Sequence, residues 1–261
     1  MQITKAHAET RISELRQLIR DYPLGVLTTA IPSAEHATIQ SSHIPWILDV
    51  EDESSETELG VLRGHVARAN PQSKAMIESL SAPDRKETEV NKLEQEVLVL
   101  FTSSVHSYLT PKFYTETKPR TGKVVPTWDY SAVQAYGKAT SYYDKGEDAS
   151  GFLSKQIDDL SVFMERYVAA HTSEDGRPEP WKVSDAPDSY VDILKKAIIG
   201  IEIKIDRLEG VVKMSQDKQE GDRLGVIQGF KDMGTKLGDD MAEQVTKRHE
   251  IKKASKVTAA A

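Results

Sequence analysis

The chain has 261 residues, 38% of them hydrophobic and 29% charged, and 34 basic against 41 acidic side chains leave a formal net charge of −7. This composition excludes disorder and supports a sizeable core, while a generic electrostatic grip on nucleic acid would want the opposite sign. Cysteine is absent, so disulfides, thiolate metal sites and cysteine nucleophiles are excluded together, as suits a reducing compartment. The charged start and the lack of any long apolar run point to a cytoplasmic protein, with the nucleus as the alternative, and to no membrane partner.

In chain order, Ile12, Leu15, Leu18 and Ile19 share one helical stripe that Tyr22-Pro23 stops. Residues 24–30 read as a strand. Residues 37–48 alternate only loosely, with polar residues in the middle and apolar ones at the ends; a strand of that kind needs partners for its hydroxyls. Residues 59–66 form a further strand, and the turn through Asn70-Pro71 leads to a helix over 72–80. Residues 81–94 are charged and read as a surface insertion, and 97–101 as a buried strand. Thr110-Pro111 begins a short helix over 112–115. Strands at 124–127 and 132–141 are expected on either side of Trp128-Asp129-Tyr130. A helix follows over 151–170, then a connector over 171–187 rich in turn residues. In 197–208, Ile199, Ile201, Ile203 and Ile205 alternate with polar residues as in a half-buried strand. A glycine-weakened helix over 220–237 precedes a frayed basic tail carrying Lys247, Arg248, Lys252, Lys253 and Lys256.

Successive strands joined by short turns predict a mainly β, α+β fold: an antiparallel sheet closing into a barrel with peripheral helices. One domain is expected over 1–237, with 81–94 as its insertion and 238–261 as a helical or frayed tail.

Nucleotide-binding glycine loops, zinc-protease helices and serine-hydrolase elbows are missing, and the seven histidines never fall at metal-ligand spacing on one helix, so no metal site is expected. Four polar and aromatic segments remain, around Ser41-Ser42-His43, Gly64-His65 to Asn70, Pro126-Thr127-Trp128-Asp129-Tyr130, and Lys213 to Gln216. Taken singly, each has a bland reading: serines bonded to backbone, a satisfied histidine, an arginine and an asparagine capping a helix, aromatics packing a core, a lysine in an ordinary loop. Taken together, hydroxyls, imidazoles, cations and amides are the inventory for a phosphate and a heteroaromatic ring, and indole and phenol rings supply a flat apolar wall.

These segments, with Leu62-Arg63-Gly64-His65-Val66-Ala67-Arg68-Ala69-Asn70-Pro71, Tyr108, Thr110 to Tyr114, Ala132 to Gly137 and Ile199 to Gly210, resemble the PaiB family of FMN-binding negative transcriptional regulators. The resemblance runs from about Leu24 to Phe230. It implies an FMN-binding split β-barrel homodimer, similar in architecture to pyridoxamine-phosphate oxidases and flavin reductases. By that resemblance Ser41, Ser42 and His43 line one wall with Gly64 and His65, Arg68 meets the phosphate or fixes that wall, and Asn70 belongs to the same motif. Pro126, Thr127, Trp128 and Tyr130 would cover the isoalloxazine, and Lys213, Ser215 and Gln216 would close the site. The chain departs from the family pattern at Ser103-Ser104, Lys112-Phe113, Asp129 and Asp217, the last two placing carboxylates where amides are common.

The leading functional expectation is therefore an FMN-binding homodimer of the regulator family, with no residue assigned to chemistry. The alternative is a flavin-dependent oxidoreductase in which the flavin carries the electrons. Haem binding, through His43, His65 or His106, is the third. Direct DNA binding has only the basic tail to support it.

Overall fold

The computed structural model describes residues 1, 3–83, 91–170 and 179–260, with 170 and 252–260 as backbone only. Part of the insertion expected at 81–94 and part of the connector expected at 171–187 lie outside these residues, as do the side chains of Lys252, Lys253 and Lys256. Among the described residues the strands are β1 (Ala8–Glu9), β2 (Leu24–Ala30), β3 (Ile39–Pro45), β4 (Ile47–Asp49), β5 (Val61–Ala67), β6 (Lys92–Thr102), β7 (Ser107–Leu109), β8 (Thr127–Tyr142) and β9 (Ile198–Lys213). The α-helices are α1 (Ile12–Asp21), α2 (Pro71–Leu80), α3 (Thr117–Thr121), α4 (Glu147–Ala170), α5 (Asp188–Lys196), α6 (Glu220–Lys231) and α7 (Lys236–Ala260). Contacts group the chain into two compact units, one of Ile19–Phe101 and Gln134–Leu208, the other of Met1–Leu18, Thr102–Val133 and Glu209–Ala261.

The first unit is the split barrel. Its strands follow the order β3-β2-β6-β8-β9-β5-β4, and the registered pairs of β2 with β3 and β6, and of β5 with β4 and β9, are antiparallel. The two ends of that order are consecutive in the chain, separated by Trp46 alone. One extended segment thus closes the ring, its first half bonded to β2 and its second to β5. The strand expected over 37–48 is accordingly broken at Trp46, whose side chain turns inward and is 1% exposed. Space for the indole comes from two glycines. A Cβ on Gly64 would lie 3.0 Å from Trp46 Cε3, and one on Gly25 2.9 Å from Trp46 Cδ1. Ile44, Leu27, Leu62, Val99 and Phe101 complete a dry interior.

Strand periodicity then sends Arg63 and His65 to the outside of β5, where α4 packs. Arg63 is 6% exposed, yet its guanidinium donates to Asp49 Oδ1 at 3.0 Å, Asp159 Oδ2 at 2.8 Å and Gln156 Oε1 at 3.1 Å. Helix α2 begins as expected: Asn70 Oδ1 accepts the Gln72 N–H at 2.9 Å, and Pro71 takes the first helical position.

The second unit packs β1 on the end of β9 and β7 on the start of β8. Its core joins Leu109, Tyr114, Val212, Met214, Val226, Phe230, Met241, Ala242 and Val245. Three expectations change here and nearby. Strand β8 runs unbroken through Trp128-Asp129-Tyr130 instead of turning there. The 220–237 helix ends at Lys231, and Gly234 adopts a left-handed φ of 60° before α7 starts. Helix α7 is not an undocked tail: Met241, Ala242 and Val245 seat it in the core, and Arg248 donates to buried Glu9 at 2.7 Å. In the first unit α5 follows the expected connector, over a stretch to which the sequence pattern assigns no element.

Candidate functional site

The structure gathers the sequence-predicted residues in two groups, one in each unit. In the barrel, the alternation of β3 turns Ser42 inward beside Ile44 and leaves Ser41 and His43 exposed on the outer face. Ser41 Oγ shares a hydrogen bond with Thr28 Oγ1 across the β2–β3 pair at 2.9 Å, and Ser42 Oγ accepts from Asn70 Nδ2 at 2.9 Å. Asn70 therefore ties the start of α2 to β3 while also capping its own helix. Arg68 spends its guanidinium on backbone: it donates to Tyr143 O at 2.7 Å and to Lys196 O at 3.3 Å. That geometry ties the end of β5 to the backbone after β8 and before β9. Gly64 is an interior position. His65 lies on the outer face, lining a cavity under α4 and α5, and burial pushes its pKa down, so the imidazole is neutral.

In the other unit, residues distant in sequence converge on Lys213, the last residue of β9. Its ammonium donates to Thr127 Oγ1 and Trp128 O, and lies 3.9 Å from Asp129 Oδ1. On β8 the alternation turns Asp129 inward and Trp128 outward. Ser215, held at a left-handed φ of 56°, donates its hydroxyl to Asp129 Oδ2 at 2.7 Å. Gln216 folds the turn around itself, accepting the Met214 N–H at 2.7 Å and donating to Val212 O. Trp128 is 48% exposed; its indole N–H donates to His106 Nδ1 at 3.2 Å, and Tyr108 meets its edge at a ring separation of 6.4 Å. Pro126 is exposed just before β8, and Tyr130 is half-buried on the Trp128 face of the strand.

The electrostatics of this second group are uneven. Asp129 is 0% exposed, and among the described residues nothing donates a hydrogen bond to its Oδ1. Burial raises its pKa to about 6; the Ser215 hydroxyl and the Lys213 charge oppose that rise, and nearby Asp217 adds to it. Burial also lowers the pKa of Lys213, against the pull of Asp129 and Asp217. Tyr114, with a buried hydroxyl that makes no hydrogen bond among the described residues, is pushed up to about 12 by burial and by Asp129, Asp217 and Asp222. A partly exposed cation beside an exposed indole can take an anion and a flat ring.

Sequence reasoning singled out Lys213, Thr127, Trp128 and Ser215 but not His106 as the partner of the indole or Tyr114 beneath the cluster. Asp129 stands out in sequence only as a departure from a family pattern. Of the three candidate haem ligands, His106 is bonded to Trp128, His65 lines the cavity under α4, and His43 is exposed on β3. Among the described residues no cluster of His, Asp and Glu could hold a metal ion, and no helix is long and apolar enough to cross a membrane.

A family described as "Putative FMN-binding domain" matches residues 1–207. The chain is 55% identical over 255 residues to an uncharacterized protein of Emericella nidulans, with 97% of this chain and 99% of that one covered. It is 25% identical over 243 residues to the protease synthase and sporulation protein PAI 2 of Bacillus subtilis, covering 93% of this chain and 95% of that one. Among solved structures, the FAD and heme binding protein from Mycobacterium smegmatis aligns with 79% of this chain and 73% of its own, at 14% identity and a TM-score of 0.43.

Proposed function

The chain belongs to the FMN-binding domain family, and from that premise we propose that it binds FMN as a homodimer of the PaiB-like regulator type. The observation that carries the reading is the Lys213 cluster: a lysine ammonium and a threonine hydroxyl beside an indole that is 48% exposed. The donor set suits the ligand. Lys213 and Thr127 would hold the phosphate, and Trp128 with Tyr108 would flank the ring. Ser215 and Gln216 shape the turn that presents Lys213. Bound FMN would supply hydride and electron transfer, whereas the chain itself contributes orientation and charge.

Support for the dimer is the exposed apolar surface beside the same cluster. Val125 is 72% exposed, Tyr108 51% and Trp128 48%, and large apolar side chains grouped at a surface mark an interaction site. The proposal does not extend to direct DNA contact: Lys247 lies 3.9 Å from Glu14, and Arg248 is paired with Glu9 at 2.7 Å.

The test is titration of the flavin-free protein with FMN and with riboflavin, read by flavin fluorescence, beside sedimentation of the wild type and Trp128→Ala. FMN binds more tightly than riboflavin, and Lys213→Met removes that preference, a loss of about tenfold for a desolvated charge pair. Trp128→Ala weakens the dimer. A monomeric wild type that quenches neither flavin overturns the proposal. Rapid bleaching of bound FMN by NADH would move the reading to an oxidoreductase.

A further inference from the structure

Between α4 and α5 the barrel unit carries a groove that the flavin reading does not use. Its inner end is a cavity of about 450 Å³ lined by His65 of β5, Leu160 of α4, Trp181, Tyr190 and Leu194, and Ile198 of β9. Its outer end, a further cavity of about 390 Å³, shares Ile157, Val183, Val191 and Lys195 with the first and adds Asp158, Asp188 and Asp192.

The two ends differ in chemistry. The inner end is apolar and aromatic, of the size that accepts a small ligand. Trp181 and Tyr190 stay 47% and 55% exposed, although aromatic side chains of that size normally find cover. His65 is neutral, and its Nδ1 is buried without a partner among the described residues, which leaves a hydrogen-bond acceptor or donor unanswered. At the outer end, Lys195 donates to Ser154 Oγ at 2.8 Å and lies 3.8 Å from Asp192, so its charge is already met. Asp158 and Asp188 make no ion pair among the described residues. The outer end is thus net negative.

We propose that this groove binds a small arylalkylamine, its flat ring under Trp181 and Tyr190 toward His65 and its ammonium beside Asp158 and Asp188. The neutral imidazole adds no charge at the inner end, and aromatic walls favour a nearby cation. An aryl carboxylate of equal size would meet the two aspartates with the wrong sign.

The probe is tryptamine, titrated into the intact protein by calorimetry, with indole-3-acetate as the isosteric acid. Tryptamine binds more tightly than the acid, by about tenfold for charges at a part-exposed rim. The double variant Asp158→Asn and Asp188→Asn removes most of that difference. Ala186→Trp, at a partly exposed lining position, blocks tryptamine while the FMN titration and the melting curve stay unchanged. Equal affinity for the amine and the acid overturns the proposal, as does tryptamine binding that survives Ala186→Trp. Displacement of tryptamine by FMN also overturns it, because the groove would then belong to the flavin site; failure of FMN binding alone leaves the amine titration standing as a separate result.

Discussion

Arg63 in the barrel unit and Asp129 in the other are both withdrawn from water, at 6% and 0% exposure, but their surroundings treat the charge in opposite ways. Every nitrogen of the Arg63 guanidinium faces an oxygen of Asp49, Asp159 or Gln156, and the Asp49 bond in particular raises its pKa. Asp129 has one oxygen held by Ser215 and one that accepts nothing among the described residues, and burial wins over the nearby lysine. A charge met at every nitrogen builds a wall. A charge left half-answered marks a place kept for something other than stability.

Three substitutions press on that contrast. Arg63→Ala carries the largest effect, because α4 loses its anchor on β5 while Gln156 is left buried; denaturant unfolding should show a loss of about 3 kcal/mol. Asp129→Asn should do the reverse. A carboxylate raised from 3.8 to about 6 holds its proton more tightly folded than unfolded, so the wild type loses stability as pH rises from about 4 to about 6 and stays penalised above that. The asparagine variant is expected to gain about 1–3 kcal/mol at neutral pH, with the gain fading below about pH 4. An equal effect of the substitution at both ends of that range would show that burial of charge is not its cause.

The smallest effect separates burial from lack of partners. Glu9 is 7% exposed and burial alone would raise its pKa, but bonds from Arg11 and Arg248 outweigh it and bring the value down to about 2. Its contribution is present above the unfolded carboxylate range and is lost as pH falls toward 2. Arg248→Ala, which leaves Arg11 in place, should cost about 1 kcal/mol at pH 7 and move acid unfolding to higher pH. Acid titration followed by circular dichroism reads both.

Strand β2 occupies the residues that the sequence predicts, and α2 starts at its asparagine cap, because those signals are local: a short apolar run between prolines, an amide before Pro71. Strand β8 resisted for the opposite reason. Trp128-Asp129-Tyr130 reads as a break until Lys213 and Ser215, more than eighty positions away, supply what a buried aspartate requires. Helix α7 was obscured by its own charges: the apolar trio Met241, Ala242 and Val245 lies upstream of the basic cluster, and only the packed core shows where it seats. Serines and His43 could be recognised as unusual in a strand, but not which of them face outward, since that depends on the corner at Trp46.

That corner has a consequence for exchange with solvent. Strand β3 is bonded to β2 along one side and ends the strand order on the other, because the segment passes to β5 only after turning. Among the described residues, alternate amides of 39–45 consequently lack a ladder partner in a ring whose other long strands are flanked on both sides. In deuterium labelling of the chain alone, these amides should take up label early while their immediate neighbours stay protected. A second subunit or a ligand laid against β3 would slow them selectively, making this row of peptide groups a built-in reporter of what comes to rest there.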